Sequence, residues 1–303
     1  MRRLANVEMR LLQIFATIVD CNGLSNAQAA LNIAPSTLSG HLAALEARLG
    51  SKLCERGRGG FRLTAEGEET YRAAQALFRA VEGFEAAMRR THGRARGRLR
   101  LGAIDTLADS PAVNLPAALA AFCAARPDVF LDVEILQADA LLAAVQEGRR
   151  DLVIGPAPHK PAALAYVALP VEKHRLYCGR AHPWFARSDA EIAQADLARA
   201  PFSVRAYRYF DDTYRLGGAA PAASVSNMEA QEILILSGRF IGYLPEHAGE
   251  RRAAQGLMRA IRPNDWTMTS AFFAIWDDAR GPLADKRAFA RCLKAAAKQP
   301  ETP

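Results

Sequence analysis

Cysteine is scarce and scattered. The chain has 303 residues and five cysteines, Cys21, Cys54, Cys123, Cys178 and Cys292, with no Cys-x-x-Cys pair and no histidine cluster beside them. That spacing suggests neither a disulfide framework nor a zinc site. Long apolar runs are missing too. No stretch approaches the roughly 18 apolar residues that a spanning helix needs. The opening Met1-Arg2-Arg3-Leu4 leads to Glu8 and Arg10 without an apolar segment, unlike a secretory leader. The expectation is a cytoplasmic chain without a membrane partner. Catalytic motifs are lacking as well: there is no Gly-x-Ser-x-Gly, no Walker loop and no His-Glu-x-x-His, and Gly148 to Gly155 has the wrong composition for a dinucleotide loop. The six histidines (41, 92, 159, 174, 182 and 247) are scattered, and His174 and His182 read as strand and turn residues. With no nucleophile set beside a base, the expectation is a protein that is not an enzyme and holds neither metal nor cofactor.

What the chain does have is charge in one place. Residues 1–100 carry 16 Lys and Arg against 9 Asp and Glu, a net of +7, which is the net charge of the whole chain. The remaining two thirds are neutral. A basic third joined to a neutral remainder suggests a nucleic-acid-binding module fused to something else; a solvated basic surface is the plainer alternative.

The basic third is helical at first. Leu11, Leu12, Phe15, Ile18 and Val19 recur at helical spacing, and Asn22-Gly23 ends that helix. Ser25 to Leu31 forms a short second helix and Asn32-Ile33-Ala34 a tight turn. Pro35 suits the first position of a third helix, where its missing N–H costs nothing. This helix runs to Leu49 and stops at Gly50, suited to a left-handed cap. Leu38, Leu42, Leu45 and Leu49 make its apolar stripe; Ser36, Thr37, Ser39, Gly40 and His41 make its polar face. Two short helices around a tight turn, the second led by small polar residues, is how a helix-turn-helix offers a reading helix to the major groove of double-stranded DNA. Lys52 to Arg56 and Phe61 to Thr64 then read as two strands around the tip Gly57-Arg58-Gly59-Gly60. Such a wing would bring Arg56, Arg58 and Arg62 to phosphates or a minor groove. Thr64 caps a further helix, with Glu66 and Glu68 in its first turn.

Phe15, Leu24, Ala27, Leu31, Ser39, Leu42, Leu45-Glu46, Leu49-Gly50, Leu53, Glu55-Arg56, Leu63-Thr64 and Gly67 stand in the order and spacing of the LysR-type DNA-binding domain, which this segment resembles. It departs from that pattern at Gly23, where a capping Ser is usual and Asn22 or Ser25 would have to serve instead, at Gln28, which replaces an alanine, and at Pro35, which replaces a common DNA-contacting Gln. From Thr64 to about His92 helical periodicity persists through Tyr71, Ala74, Leu77, Phe78, Val81, Phe84 and Met88, a helix of about 43 Å at 1.5 Å per residue. The resemblance implies that its apolar face meets the same helix of a second subunit, giving a homodimer or homotetramer on an inverted-repeat operator.

Beyond a hinge at 93–97, strands and helices alternate, which predicts α/β layers with largely parallel sheets. Gly148 to Gly155, His182-Pro183 and Ser237 to Pro245 resemble the effector-binding domain of the same family. The implied fold class is therefore α/β: a winged helix-turn-helix over 1–63, a linker helix over 64–92, and over 98–303 a two-lobed domain like a periplasmic binding protein. Lobe I would cover about 98–167 and 269–303, lobe II about 168–268, with a small-molecule effector between them. Ligands in such folds sit at the carboxyl ends of strands and at helix N-termini. That singles out Asp105, Thr106, Ser203, Arg205, Tyr207, Ser226 and Asn227. Arg205 would pair with an acid. Asp105 either caps its loop or favours an amine, a hydroxyl or a zwitterion. The resemblance further implies that the effector changes the angle between subunits, and with it the DNA bend or a contact with RNA polymerase.

Overall fold

An apolar stripe and a series of backbone breaks shape the first of two units, which divide near Arg94. The computed structural model describes residues 6–57, 60–91, 97–206 and 221–297. Helix α1 (Asn6–Asp20) buries Leu11, Leu12, Phe15 and Ile18. The chain then turns at Asn22 (φ 53°) and Gly23 (φ 129°). Side chains rarely adopt the second value, and a Cβ there would meet Phe61 at 3.4 Å, so glycine rather than a capping serine fits this position. Helix α2 (Leu24–Leu31) consequently starts with no side-chain cap; the expected role of Asn22 or Ser25 is not realised, and it is Asn26 that ties back, donating from Nδ2 to the Cys21 carbonyl at 2.9 Å. Asn32 (φ 52°) makes the tight turn. Pro35 opens α3 (Pro35–Leu49), and Gly50 (φ 74°) closes it by donating its N–H to the Glu46 carbonyl. Leu38, Leu42 and Leu45 are buried, whereas Leu49, expected on the same stripe, is 47% exposed. The last turn of α3 runs past the core that Leu42 and Leu45 share with α1.

Strands β1 (Cys54–Gly57) and β2 (Gly60–Leu63) pair antiparallel. Thr64 Oγ1 then accepts from Gly67 N at 3.0 Å and caps α4 (Ala65–Thr91). The helix enters very close to the strand: a Cβ on Gly67 would stand 1.9 Å from the Leu53 carbonyl oxygen. Tyr71, Ala74, Leu77 and Phe78 of α4 pack into the core of this unit. Further along, Val81 and Phe84 are 37% and 64% exposed.

The second unit runs through β3 (Gly97–Ala103), α5 (Leu115–Ala125), β4 (Val129–Ile135), α6 (Leu141–Gln146), β5 (Leu152–Pro156), β6 (Ala165–Ala168), β7 (Glu172–Gly179), α7 (Gln194–Leu197), β8 (Phe202–Arg205), β9 (Ala223–Val225), α8 (Met228–Leu236), β10 (Ile241–Pro245), α9 (Glu246–Ala254), β11 (Met258–Ala260), β12 (Thr267–Ser270), β13 (Phe272–Trp276) and α10 (Leu283–Ala296). Two sheets result. One has the order β4-β3-β5-β13-β6; the other has the order β11-β7-β10-β8-β9, with β12 also on β7. The first is clothed by α5 and α10, where Phe122 meets Phe289 edge-on at 5.4 Å, and on its other face by α6. In the second, Tyr177 and Leu244 pack with Met228 and Ile235 of α8, while Phe202 and Tyr243 join Trp184 and Trp266.

The sheets are mixed, not largely parallel as the alternation predicted. β3 is parallel to β4 and β5, and β8 to β9 and β10. The antiparallel strands are chiefly those that carry the chain between lobes. It leaves the first sheet by β6 and enters the second by β7, then leaves by β12 and returns by β13; β12 runs antiparallel to β7, and β13 to both β5 and β6. Reversal of direction at a crossing depends on partners about a hundred residues away, which local patterning does not encode.

Candidate functional site

On α3, the burial of Leu38, Leu42 and Leu45 turns the other face outward. Ser36, Thr37 and Gly40 are exposed, and Ser39 and His41 are half-buried beside them. Nothing lies within 4 Å of where a Gly40 Cβ would stand, so the surface here is open. Arg62 is exposed on β2, opposite Glu55, and Arg56 lies on β1 opposite Phe61. Arg58 falls outside the described residues. An uncovered helix of small polar residues next to a basic hairpin can offer hydrogen bonds to base edges and charge to phosphates.

The second candidate lies between the two sheets of the second unit. After β3 the chain passes through Asp105 to Thr106, held at φ 66°. Asp105 Oδ2 accepts from the backbone N–H of Met228, the first residue of α8. A side chain from one lobe thus caps a helix of the other, where unpaired N–H groups and the helix dipole favour an anion. Burial raises the Asp105 pKa above its ordinary value, and the Met228 N–H pulls in the opposite direction. In this conformation Asp105 caps across the lobes, a contact that neither sequence alternative described.

Glu172 and His174 face the same cleft because they alternate along β7. Both are almost completely buried, at 3% exposure each. Glu172 Oε2 lies 3.2 Å from His174 Nε2, off the line of a good hydrogen bond, and Oε1 lies 3.9 Å from His247 Nδ1. His247 Nε2 sits 3.0 Å from the Thr106 carbonyl oxygen, linking α9 to the first lobe. Arg205, on β8, is buried, with Met268 Sδ 3.6 Å from its guanidinium. Thr106 Oγ1, Glu172 Oε1 and both ring nitrogens of His174 are buried without a hydrogen-bond partner. Unmet hydrogen-bonding capacity costs free energy unless something fills it. The cavity at the centre is about 20 Å³, room for little more than a water, so an organic ligand would require the lobes to part.

Other residues singled out in the sequence are placed differently. Ser203 is completely buried beneath α8; its Oγ donates to the Ile241 carbonyl at 3.1 Å, and its own carbonyl accepts from Gln231 Nε2. Asn227 is an N-cap, its Oδ1 accepting from Ala230 N at 2.8 Å, and Ser226 beside it is exposed. Tyr207 lies outside the described residues. Glu172, His174 and His247 went unrecognised as cleft residues. The Glu-x-His alternation at 172–174 is the available signal, because it puts both side chains on one face of the strand. His182 is a turn residue, its Nδ1 accepting from Trp184 N at 3.1 Å.

Residues 9–68 match the family described as bacterial regulatory helix-turn-helix protein, lysR family, and residues 92–298 match the LysR substrate binding domain. The chain belongs to the LysR family of transcriptional regulators. It is 35% identical over 281 residues to the HTH-type transcriptional activator BauR of Pseudomonas aeruginosa, covering 92% of each chain. It is 36% identical over 172 residues to a probable hydrogen peroxide-inducible genes activator of Mycobacterium xenopi, covering 57% of this chain and 89% of that one. Among solved structures it resembles CbnR, a LysR family transcriptional regulator, at 17% identity with a TM-score of 0.66 over 96% of this chain and 99% of that one. The two modules of this LysR regulator are thus the winged helix and the two-lobed domain described above. Among the described residues no helix is long and apolar enough to cross a membrane, and no group of His, Cys, Asp and Glu could hold a metal ion. All five cysteines are free thiols; burial pushes Cys178 up to about 11, which keeps it protonated and unreactive near neutrality.

Proposed function

We propose that this LysR regulator acts in the cytoplasm, without catalysis, as a homodimer or homotetramer that reads an inverted-repeat operator and answers a small molecule held between its lobes. The observation that carries the reading is the set of buried, unpartnered polar atoms of Thr106 and His174 converging on one cleft, because a fold has no reason of its own to bury unmet hydrogen-bonding groups from two lobes together. Asp105 and Arg205 complete the effector site. Ser203, Ser226 and Asn227 serve the fold around it.

DNA recognition is assigned to Ser36, Thr37, Ser39, Gly40 and His41 for base edges, and to Arg56, Arg58 and Arg62 for phosphates. CbnR has been solved in complex with its target DNA, at 18% identity to this chain, which supports a DNA-bound role for the same module. Subunit pairing is assigned to the outer half of α4, where Val81 and Phe84 are exposed. Opening or closing of the cleft would then bias the angle between subunits and the DNA bend or the contact with RNA polymerase.

Footprinting and gel shifts at graded salt test the DNA half. Protection of an inverted repeat should weaken with a log–log salt slope near −0.9 per phosphate contacted. Arg62→Ala should lower binding to all sequences and flatten that slope by about one contact, whereas Thr37→Ala should alter base preference more than affinity for random DNA. If selection from a random-sequence pool yields no protected site at any salt, the DNA-reading role is wrong.

A further inference from the structure

A second cavity of the second unit is wider than the cleft. On the far side of Glu172 lies an open cavity of about 240 Å³, walled by Pro111 and Ala112 from the loop after β3, Pro170 and Val171 from the first crossing between lobes, and Glu246 and Glu250 from α9. An engineered apolar cavity of about 150 Å³ accepts benzene, so this one has room for a molecule of roughly ten non-hydrogen atoms.

Its chemistry is asymmetric. The walls contributed by the two prolines, Ala112 and Val171 are apolar, and Val171 is 47% exposed. The polar groups are mostly acceptors. Arg175 pairs with Glu246 and, at 3.3 Å, with Glu250, so those two carboxylates share one guanidinium. Glu172 is different. It is 3% exposed, and its Oε1 has no hydrogen-bond partner, with His247 Nδ1 standing 3.9 Å away. Ser110 also lines the cavity; it is 2% exposed and its Oγ is unpartnered as well. Lys173 stands on the rim, but as an exposed side chain on the opposite face of β7 it is free to stay in water. A buried carboxylate oxygen can only accept hydrogen bonds. The group that satisfies it, with a serine hydroxyl close by and apolar walls around, is an ammonium on a short aliphatic body.

We infer that this cavity is a second ligand site of the regulator, distinct from the interlobe cleft, and that it takes a small primary amine whose ammonium is held by Glu172 Oε1. Glu172 is a wall common to both sites. Its other oxygen faces His174 in the cleft, and His247 beside it holds the Thr106 carbonyl across the lobes. An amine that draws Oε1 outward changes the charge seen by both histidines. Occupancy of the outer cavity is therefore coupled to the cleft, and by linkage the coupling runs equally in both directions.

The test is calorimetric titration of the purified full-length protein with n-butylammonium chloride, with sodium butyrate and sodium chloride at matched ionic strength as controls. The amine should give a saturable heat and butyrate none. Val171→Trp, which fills the cavity from an exposed position, should abolish the heat. Glu172→Gln, which keeps shape and removes charge, should weaken binding about tenfold or more, the loss expected for a charge-assisted hydrogen bond. Thermal melts of each variant establish that it is folded. The inference is overturned if butyrate binds as well as the amine, if wild type gives no saturable heat, or if Val171→Trp binds normally while Arg205→Met does not, since the amine would then sit in the cleft. None of these outcomes depends on DNA, so this site and the DNA-reading role stand or fall separately.

Discussion

Two buried polar clusters in the second unit make an instructive contrast. In the first lobe, Asp151 is enclosed between β3 and the loop before α10. Its two oxygens accept from the backbone N–H of Arg100 at 2.8 Å and from the Arg100 guanidinium at 3.2 and 2.9 Å. Nearby, Lys286, completely buried on α10, donates from Nζ to the carbonyls of Asp277 and Arg280. This cluster closes on itself. The cleft cluster does not: the buried side-chain atoms Thr106 Oγ1 and His174 Nδ1 and Nε2 have no hydrogen-bond partner. Burial alone therefore does not distinguish structural polar groups from functional ones. Satisfaction separates these two clusters, because an unmet buried group costs stability that selection tolerates where a ligand repays it.

The contrast predicts unequal costs of mutation. Asp151→Ala removes the carboxylate that accepts from both the Arg100 N–H and its guanidinium, and breaking such a pair should destabilise the module by about 3–5 kcal/mol. The measurement is convenient. The chain has three tryptophans, and Trp184, Trp266 and Trp276 are all in the second unit, so fluorescence-detected urea melts of the full chain report on that unit. A loss below about 1 kcal/mol would mean that the closed cluster is no more structural than the cleft.

His174→Phe is the complementary change, with a smaller expected effect. It removes two unpartnered ring nitrogens and keeps an aromatic ring of similar size. Replacing an unsatisfied buried polar group by an apolar one is close to neutral or stabilising, so the same urea melt should shift by less than about 1 kcal/mol in either direction. A cost as large as that of Asp151→Ala would dissolve the distinction and make His174 part of the scaffold.

Much of this was legible in the sequence, and the part that was not has a common cause. The helix-turn-helix could be read from Asn32, Pro35, Gly50 and Thr64 because caps and turns are local: each constrains its own φ or satisfies groups within four residues. Gly23 appeared as a departure and proved to be a conformational need. The site was half legible. Asp105, Thr106 and Arg205 follow from their positions at strand ends. Glu172, His174 and His247 are brought together by strand crossing and by α9, and α9 has no apolar stripe to announce it: of its nine residues, Glu246 to Ala254, only Ala248 and Gly249 are buried. Ser203 shares a face with Arg205, yet one pleat of depth beneath α8 separates a fold residue from a cleft residue.

Asp105 sits between the two clusters in kind, half-buried at the cleft yet partnered like Asp151, and it sharpens the comparison by the smallest expected effect. Its folded pKa is raised above the 3.8 of a free aspartate, chiefly by burial, despite the Met228 N–H that favours the charged form. The folded state therefore holds a proton on Asp105 in a pH window just above 3.8 where the unfolded chain has released it. In that window stability falls as pH rises, because the folded state binds more protons than the unfolded one. Asp105→Asn has no such proton to lose. Wild type should thus gain stability relative to Asp105→Asn as pH falls through the folded pKa toward 3.8, and gain nothing further below it. Urea melts of both proteins across the acid range, followed by tryptophan fluorescence, measure that difference. The opposite slope, with wild type losing ground as pH falls, would mean that the cap holds its carboxylate as firmly as Arg100 holds Asp151, and would move Asp105 into the closed, structural class.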